Sequence, residues 1–583
     1  MEMGSHFRAN GESHLSPSET QSKKPGGWRA IAYILGNESF EKLASMSLVA
    51  NITVYLRTKY NMTGILLVNV VTIWSGTSNV SSILGAIVSD AYLGRFLTLL
   101  FGTIFSLLGM AAMTLTAGIP ELRPPSCQEQ LVCISPHKWQ LAFLFTSLGL
   151  IAMGAGGIRP CNIAFGADQF DTNTQKGRTQ LESFFNWWYF SFTIALVIAL
   201  TGVVYVQTNV SWVTGFAIPT ACLATSITIF LIGRHTYIYK TPQGSVFIDM
   251  AKVVVSAFKK RGIDLKLGGE CRYYDPPGDA ECDSLKTMSK KMERFRFLDK
   301  AAVIANPNEL DSMGLPVTTW GLCNLQQVEN LKCLLGIIPV WISGIGCFLV
   351  MDQQPTFGIL QALQMDRSIG KHFLIPPGWM GISSMIALSV WILIYEQICI
   401  PVAKRVLIRD YRLTMRMRIS IGIVMSIVCM VVAGCTERKR RALALREGSF
   451  VSSLHVLALL PQFSLSGLTE AFAAVAFMEF FTRQLPESMR SVAGAIFFLS
   501  LSVSSYSSSL IVNVMHSVTG GRGKSGWLGG HDLNLNKLDN YYYIVAVLGA
   551  INLVYFTCFA SKYVLYGKGD ELESEERTET PSK

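Results

Sequence analysis

Asn37-Glu38-Ser39-Phe40-Glu41-Lys42 stands inside an otherwise apolar run, residues 31–56. A run of that length is enough to cross a bilayer, which takes ~20 residues. Ionisable side chains inside such a run are costly in lipid, so they must face a protein interior or a water-filled cavity. At 3.6 residues per turn, Glu38, Glu41 and Lys42 fall within an arc of roughly 100°. Two carboxylates and one ammonium sum to minus one, so one added proton makes the trio neutral. The stretch therefore settles two things together. The chain is a membrane protein, and its first span carries a group whose charge state can select a conformation.

The remainder of the chain repeats the apolar theme. Of 583 residues, 50% are hydrophobic and only 15% charged, where a soluble globular chain carries about 25% charged. Further apolar runs fall at 67–89, 96–118, 139–158, 189–206, 212–233, 333–351, 379–400, 419–434, 451–476, 492–514 and 541–565. With the first run they predict about twelve spanning helices. The runs are continuous rather than alternating, which excludes a membrane β-barrel. The expected fold is all-α and integral to the membrane, with twelve transmembrane helices in two six-helix bundles.

The polar segments divide that array. Residues 1–26 are rich in Ser, Lys and Gly, contain no apolar signal core and read as a disordered cytosolic tail. Residues 27–233 form an N-terminal bundle, 234–330 a basic cytosolic linker, 331–566 a C-terminal bundle and 567–583 a second disordered tail. The insert at 268–283 reads as a disordered spacer. The net charge of +10 concentrates in the linker and orients that loop to the cytosol, so it is no sign of nucleic-acid binding. Glu437-Arg438-Lys439-Arg440-Arg441 is at odds with this map. Helix parity puts it outside, where the positive-inside rule does not favour it. The thirteen cysteines show no paired metal-ligand spacing, so neither metal nor cofactor is expected. Cys127 and Cys133 share a short outer loop and are candidates for a disulfide. The eight histidines pair with no nucleophile or carboxylate at catalytic spacing, which argues against an enzyme.

Motifs lie between and within the spans. After the second span come Gly85, Asp90, Gly94 and Arg95, two glycines for close approach and a tight turn with a charge pair at the cytosolic mouth. This pattern resembles the loop signature of the major facilitator superfamily. Helix 4 carries Gly154-Ala155-Gly156-Gly157-Ile158-Arg159-Pro160, small residues followed by a cation that either snorkels to the interface or faces the central cavity. Phe165-Gly166-Ala167-Asp168-Gln169-Phe170-Asp171, Phe184-Phe185-Asn186-Trp187, Arg296-Phe297-Leu298-Asp299-Lys300, Val328-Glu329-Asn330-Leu331-Lys332 and Glu479-Phe480-Phe481 follow. Together with the helix 1 motif, this set resembles the plant nitrate/peptide transporter family, part of the proton-coupled oligopeptide transporters. The opening of helix 1 is similar to the branch holding nitrate and glucosinolate transporters.

The resemblance implies specific roles. Glu38, Glu41 and Lys42 would couple transport to protons, and Arg159 would pair with Glu470 of helix 10 as a gate salt bridge on the cytosolic side. Met351 stands where the family's nitrate-binding member has a histidine, and a thioether cannot donate to an anion. Trp341, Met351 and Gln353 are the expected substrate-cavity residues. Thr98 matches a threonine implied as a phosphorylation switch, which would bring in a kinase as partner; an ordinary capping threonine is the other reading. The function implied is symport of protons with nitrate or a bulky organic anion such as a glucosinolate or other glycosylated metabolite. A weakly coupled facilitator or exporter and a nitrate sensor are the alternatives. The partners expected are protons, a small-molecule anion and the lipid bilayer, and the location implied is the plasma membrane.

Overall fold

The computed structural model describes residues 26–564 apart from 126, 128–133, 172–173, 243, 263–272, 275–292, 306–308, 312–314, 319, 372, 408–412, 487–488 and 521–525. The two tails, most of the 268–283 insert and Cys133 lie outside the described residues. Cys127 is disulfide-bonded.

The first half runs α1 (Gly27–Thr58), α2 (Gly64–Val88), α3 (Gly94–Gly118), α4 (Lys138–Ala167), α5 (Gln175–Val210) and α6 (Trp212–His235). After the linker, α7 is a broken span, Leu325–Gly336 followed by Ile338–Leu363, bent by 44°. Then come α8 (Pro377–Val402), α9 (Met415–Glu447), α10 (Val456–Gln484), α11 (Arg490–Thr519) and α12 (Leu538–Cys558). Apolar side chains project outward along these helices. Val197, Ile198, Ile386, Leu393 and Leu510 are all exposed. A soluble protein hides such residues; a lipid-facing surface requires them.

Small residues set the closest helix contacts. A Cβ on Gly85 would lie 2.0 Å from the Gly156 carbonyl oxygen, and one on Gly102 would lie 2.9 Å from that of Gly154. The glycines of α4 thus let α2 and α3 lie directly on its backbone. Gly94 adopts φ +75°, which turns α2 back into α3. The broken α7 extends past the expected end of its apolar run, through a π turn at Gln354–Gly358.

The cores show how the halves meet. One cluster joins residues of both halves, among them Leu48, Tyr55, Leu67 and Phe216 with Phe357, Leu360, Tyr541 and Tyr542. A second holds only residues from 250 onward, and a third only residues up to 237. The shared cluster lies toward the outer ends of the helices, taking the lysine- and arginine-rich linker as cytosolic. Among the described residues, the hydrogen bonds that join the halves lie there or at mid-membrane. Thr53 donates to Pro355 O at 2.7 Å, Asn69 to Asn513 at 2.9 Å and Ser502 to Gly76 O at 2.8 Å. The molecule is closed outside and parted inside.

The Glu437–Arg441 segment is not a loop. It is the last part of α9, and Glu437 and Arg440 are wholly buried. Glu437 and Arg440 pair within the core and Arg441 lies 3.9 Å from Asp539, which leaves Arg438 and Lys439 as the exposed cations that the positive-inside rule counts here. The linker helix Val246–Lys259 packs through Met250, Val253 and Ala257 against Leu298 and Val328, so the linker belongs with the inner end of α7.

Candidate functional site

Glu38, Glu41 and Lys42 meet on the buried face of α1. Glu38 is 1% and Glu41 5% exposed, while Lys42 keeps 13% of its side chain open. Lys42 Nζ lies 3.2 Å from Glu41 Oε2 and 3.7 Å from Glu38 Oε1. Among the described residues, neither Glu38 oxygen completes a hydrogen bond, nor does Glu41 Oε2, although the Lys42 ammonium and the Trp188 indole stand beside Glu38. Buried carboxylate oxygens left without donors are costly unless something arrives to satisfy them. A proton or a bound ligand would do so.

Arg159 completes the group. Its Nη1 donates to Asn79 Oδ1 at 2.7 Å, and its charge acts on both Glu41 and Lys42. Three helices therefore supply one cluster: α1 the trio, α2 Asn79 and α4 the arginine. Its formal charges sum to zero, two carboxylates against two cations. Asn79 was missed in the sequence; its only signal there is a carboxamide within the apolar run of α2.

Glu470 belongs to the second half. It opens a π turn, Glu470–Ala474, in α10 and has no ion pair among the described residues. It lines a cavity of about 550 Å3 whose wall is mostly apolar, from Leu388, Val475, Met478 and Phe497. The structure does not bring Arg159 and Glu470 together. Arg159 belongs to α4 in the first half and Glu470 to α10 in the second.

The other expected cavity residues are placed differently. Gln353 is fully buried and spent internally: it donates to Leu349 O at 2.9 Å and Ser508 at 3.0 Å, and accepts from Tyr541 at 3.1 Å. It ties α7 to α11 and α12 and does not line the cavity. Trp341 donates to Ile496 O at 3.3 Å, joining α7 to α11, and Met351 packs against the inner core of the second half. Asp352, which the sequence reading passed over, accepts from Ser504 at 3.2 Å and Ser505 at 3.1 Å. Its signal in the sequence is an acid at the end of an apolar run, where charge is costly.

At the cytosolic mouth Arg95 does not pair with Asp90. It pairs with Asp168, which also takes Lys240 at 2.8 Å. Asp168 caps α4, and cations are favoured at a helix C-terminus. Gln169 beside it is fully buried, accepts from Ile238 N at 2.9 Å and gives its own carbonyl to Gly27 N at 3.2 Å. The Phe165–Asp171 motif is thus a clasp joining the inner ends of α1, α3, α4 and α6. Thr98 is buried, and its hydroxyl donates to Gly94 O at 2.9 Å. In this conformation a kinase does not reach it.

The pattern of the POT family matches residues 96–528. Protein NRT1/PTR FAMILY 2.8 of Arabidopsis thaliana is 57% identical over 548 residues, covering 94% of this chain and 97% of its own. Protein NRT1/PTR FAMILY 2.13 of the same plant is 42% identical over 562 residues, covering 95% of this chain and 90% of its own. The in meso crystal structure of the POT family transporter PepTSo superposes with a TM-score of 0.67 at 18% identity, over 94% of this chain and 99% of that one. At that identity the likeness speaks for the fold alone. The relatives speak for the family, and the chain belongs to the POT family, multi-pass membrane transporters rather than enzymes.

Proposed function

We propose that the chain is a proton-coupled symporter that moves a bulky organic anion, such as a glycosylated metabolite, by alternating access at the plasma membrane. The observation that carries this reading is the α1 cluster, two buried carboxylates with unsatisfied oxygens facing two cations. The pair shares protons as a unit. One proton added to the cluster leaves a cation without its carboxylate. An anionic solute offers Lys42 or Arg159 the missing partner. Proton and anion therefore favour each other's binding, which is the linkage symport requires.

Arg159 and Glu470 fit the gate role in the opposite conformation. When the inner ends close, Glu470 becomes the anion available to an Arg159 released by protonation. Substrate competes with Glu470 for that arginine and so helps part the inner side. A membrane potential of 100 mV contributes roughly 2.3 kcal/mol per charge moved, enough for protons to drive accumulation.

The substrate class rests on two features. The position that the resemblance assigns to an anion ligand holds Met351, which offers no donor to a bare anion, and the wall around Glu470, about 550 Å3 in volume, is mostly apolar, with Glu479, Thr482 and Arg483 also lining it. Both favour a solute with an apolar body and one anionic end over nitrate. Current recordings in a heterologous cell at acidic outside pH, with nitrate, peptides and anionic glycosides, test the reading. Inward current with the glycosides, lost at neutral pH, is the expected result. Current with nitrate alone would overturn the substrate class, and uptake independent of pH would overturn symport.

A further inference from the structure

On the outer side the halves meet where the turn between α1 and α2 receives residues 526–532, ahead of α12. Gly64 N donates to Gly530 O at 3.2 Å, and a Cβ on Gly64 would lie 3.8 Å from the Leu528 and Gly530 carbonyl oxygens. The next residue, His531, is held at this junction. Both of its ring nitrogens are shut off from solvent, and neither has a hydrogen-bond partner among the described residues. The Asn61 backbone lies beside the ring without completing a bond. Arg57, at the end of α1 and 9% exposed, acts on it across the junction, with one guanidinium donor already given to Met62 O at 2.9 Å.

Two charged groups bear on His531, Arg57 from α1 and Asp532 from its own loop. Asp532 is partly engaged, accepting from Gln364 at 3.1 Å and Asn534 N at 2.9 Å. The charges on the neighbouring helices are taken up among themselves. Arg440 of α9 binds Glu437 and Asn534, and Arg441 binds the Asn534 carbonyl and lies 3.9 Å from Asp539 of α12. An imidazolium formed here would face a buried guanidinium, which outweighs the Asn61 and His531 backbone acceptors and the partly engaged Asp532 beside it.

We propose that His531 is an external proton sensor of the outer gate. Neutral, it lets residues 526–532 seat against the α1–α2 turn. Protonated, it opposes Arg57, and that segment lifts away to admit substrate. Burial, first, and the Arg57 charge, second, pull the imidazole down to about 4 in the seated loop. Released into solvent it returns toward 6.5. The closed gate therefore keeps its full stability above about pH 6.5 and loses it as pH falls from there toward 4. Between about pH 7.5 and about pH 5.5 the equilibrium shifts toward the open gate by roughly tenfold. Acid outside would then load the α1 cluster and open the way to it.

The test reads the gate and not transport. Ser509 is 6% exposed and donates across the closed junction to Asn69 at 2.7 Å. A cysteine placed there in the full-length protein in intact cells is labelled with a membrane-impermeant maleimide at the two pH values. The reagent's own pH dependence cancels when His531 is compared with His531→Gln and His531→Asn. We expect acid to raise labelling about tenfold more with histidine present than with either neutral variant. Equal responses in all three overturn the proposal. Arg57→Gln should shrink the response by removing the opposing cation. The response should persist in the Glu41→Gln background; if it disappears there, the acid effect belongs to the α1 cluster and His531 is not the sensor.

Discussion

Two of the buried charge clusters are built on opposite terms. In α9, Arg440 grips Glu437 through Nε and Nη2, both at 2.8 Å, and gives Nη1 to Asn534 at 2.8 Å. Gln361 donates to the same carboxylate at 2.8 Å. Both glutamate oxygens and three arginine donor positions are engaged. In α1, by contrast, three carboxylate oxygens lack a hydrogen-bond partner among the described residues, and the single Lys42 ammonium stands 3.2 Å from Glu41 and 3.7 Å from Glu38. Burial alone does not distinguish a working group from a staple. Satisfaction does. A complete network has nothing to gain from a proton or an anion, whereas an incomplete one gains from both.

The contrast breaks first at α9. Arg440→Met leaves the Glu437 carboxylate buried without its cation, a loss of about 3–5 kcal/mol. It should appear as a large drop in thermal stability and membrane yield. Glu437→Gln added to Arg440→Met should recover much of that loss, because no net charge then remains in the core. An Arg440→Met protein as stable as the parent would mean that the pair is not the staple its geometry describes.

Glu41→Gln should act the other way round. The amide fits the same space and removes a charge the site never fully satisfied. Stability should stay near that of the parent, while uphill uptake at acidic outside pH falls by more than about tenfold, a coupling loss above ~1.4 kcal/mol. Concentrative uptake retained in this variant would count against α1 as the proton site. Arg159→Ala and Glu470→Ala should each stop transport without unfolding the protein. Normal transport by either would separate the two residues as gate partners.

The sequence showed the fold well and the site in part. The apolar runs mark the spans because lipid imposes a minimum length on each, and Glu38, Glu41, Lys42, Arg159 and Glu470 stood out because charge in such runs is costly. What failed was partner choice. Arg95 was matched to Asp90, close in sequence, yet the turn at Gly94 delivers it to Asp168, 73 residues on. Gln353 was grouped with Met351, but residues two apart on a helix point roughly 200° from each other, so they cannot share one cavity wall. Glu437 and Arg440 looked like a loop because charge density ends a hydropathy run whether or not the helix ends there. His531 carried no signal, since its burial comes from the meeting of two loops distant in the chain.

Thr98 gives the smallest and most discriminating contrast. Its hydroxyl bonds Gly94 O within its own helix, and its backbone carbonyl lies where a Cβ on Gly157 would come within 2.7 Å. α3 and α4 therefore meet with no spare room at this level. Thr98→Val keeps the shape and loses one hydrogen bond, at about 0.5–1.5 kcal/mol; uptake and its pH dependence should be unchanged. Thr98→Asp puts a carboxylate into that contact and should lower thermal stability by more than the valine does, with any loss of uptake tracking the loss of folded protein. If Thr98→Asp instead folds as well as the parent and changes substrate affinity, the α3–α4 contact opens on the timescale of transport. Thr98 would then join the α1 cluster among the groups left ready to react, and its buried hydrogen bond would be a resting state and not a fixed part of the scaffold.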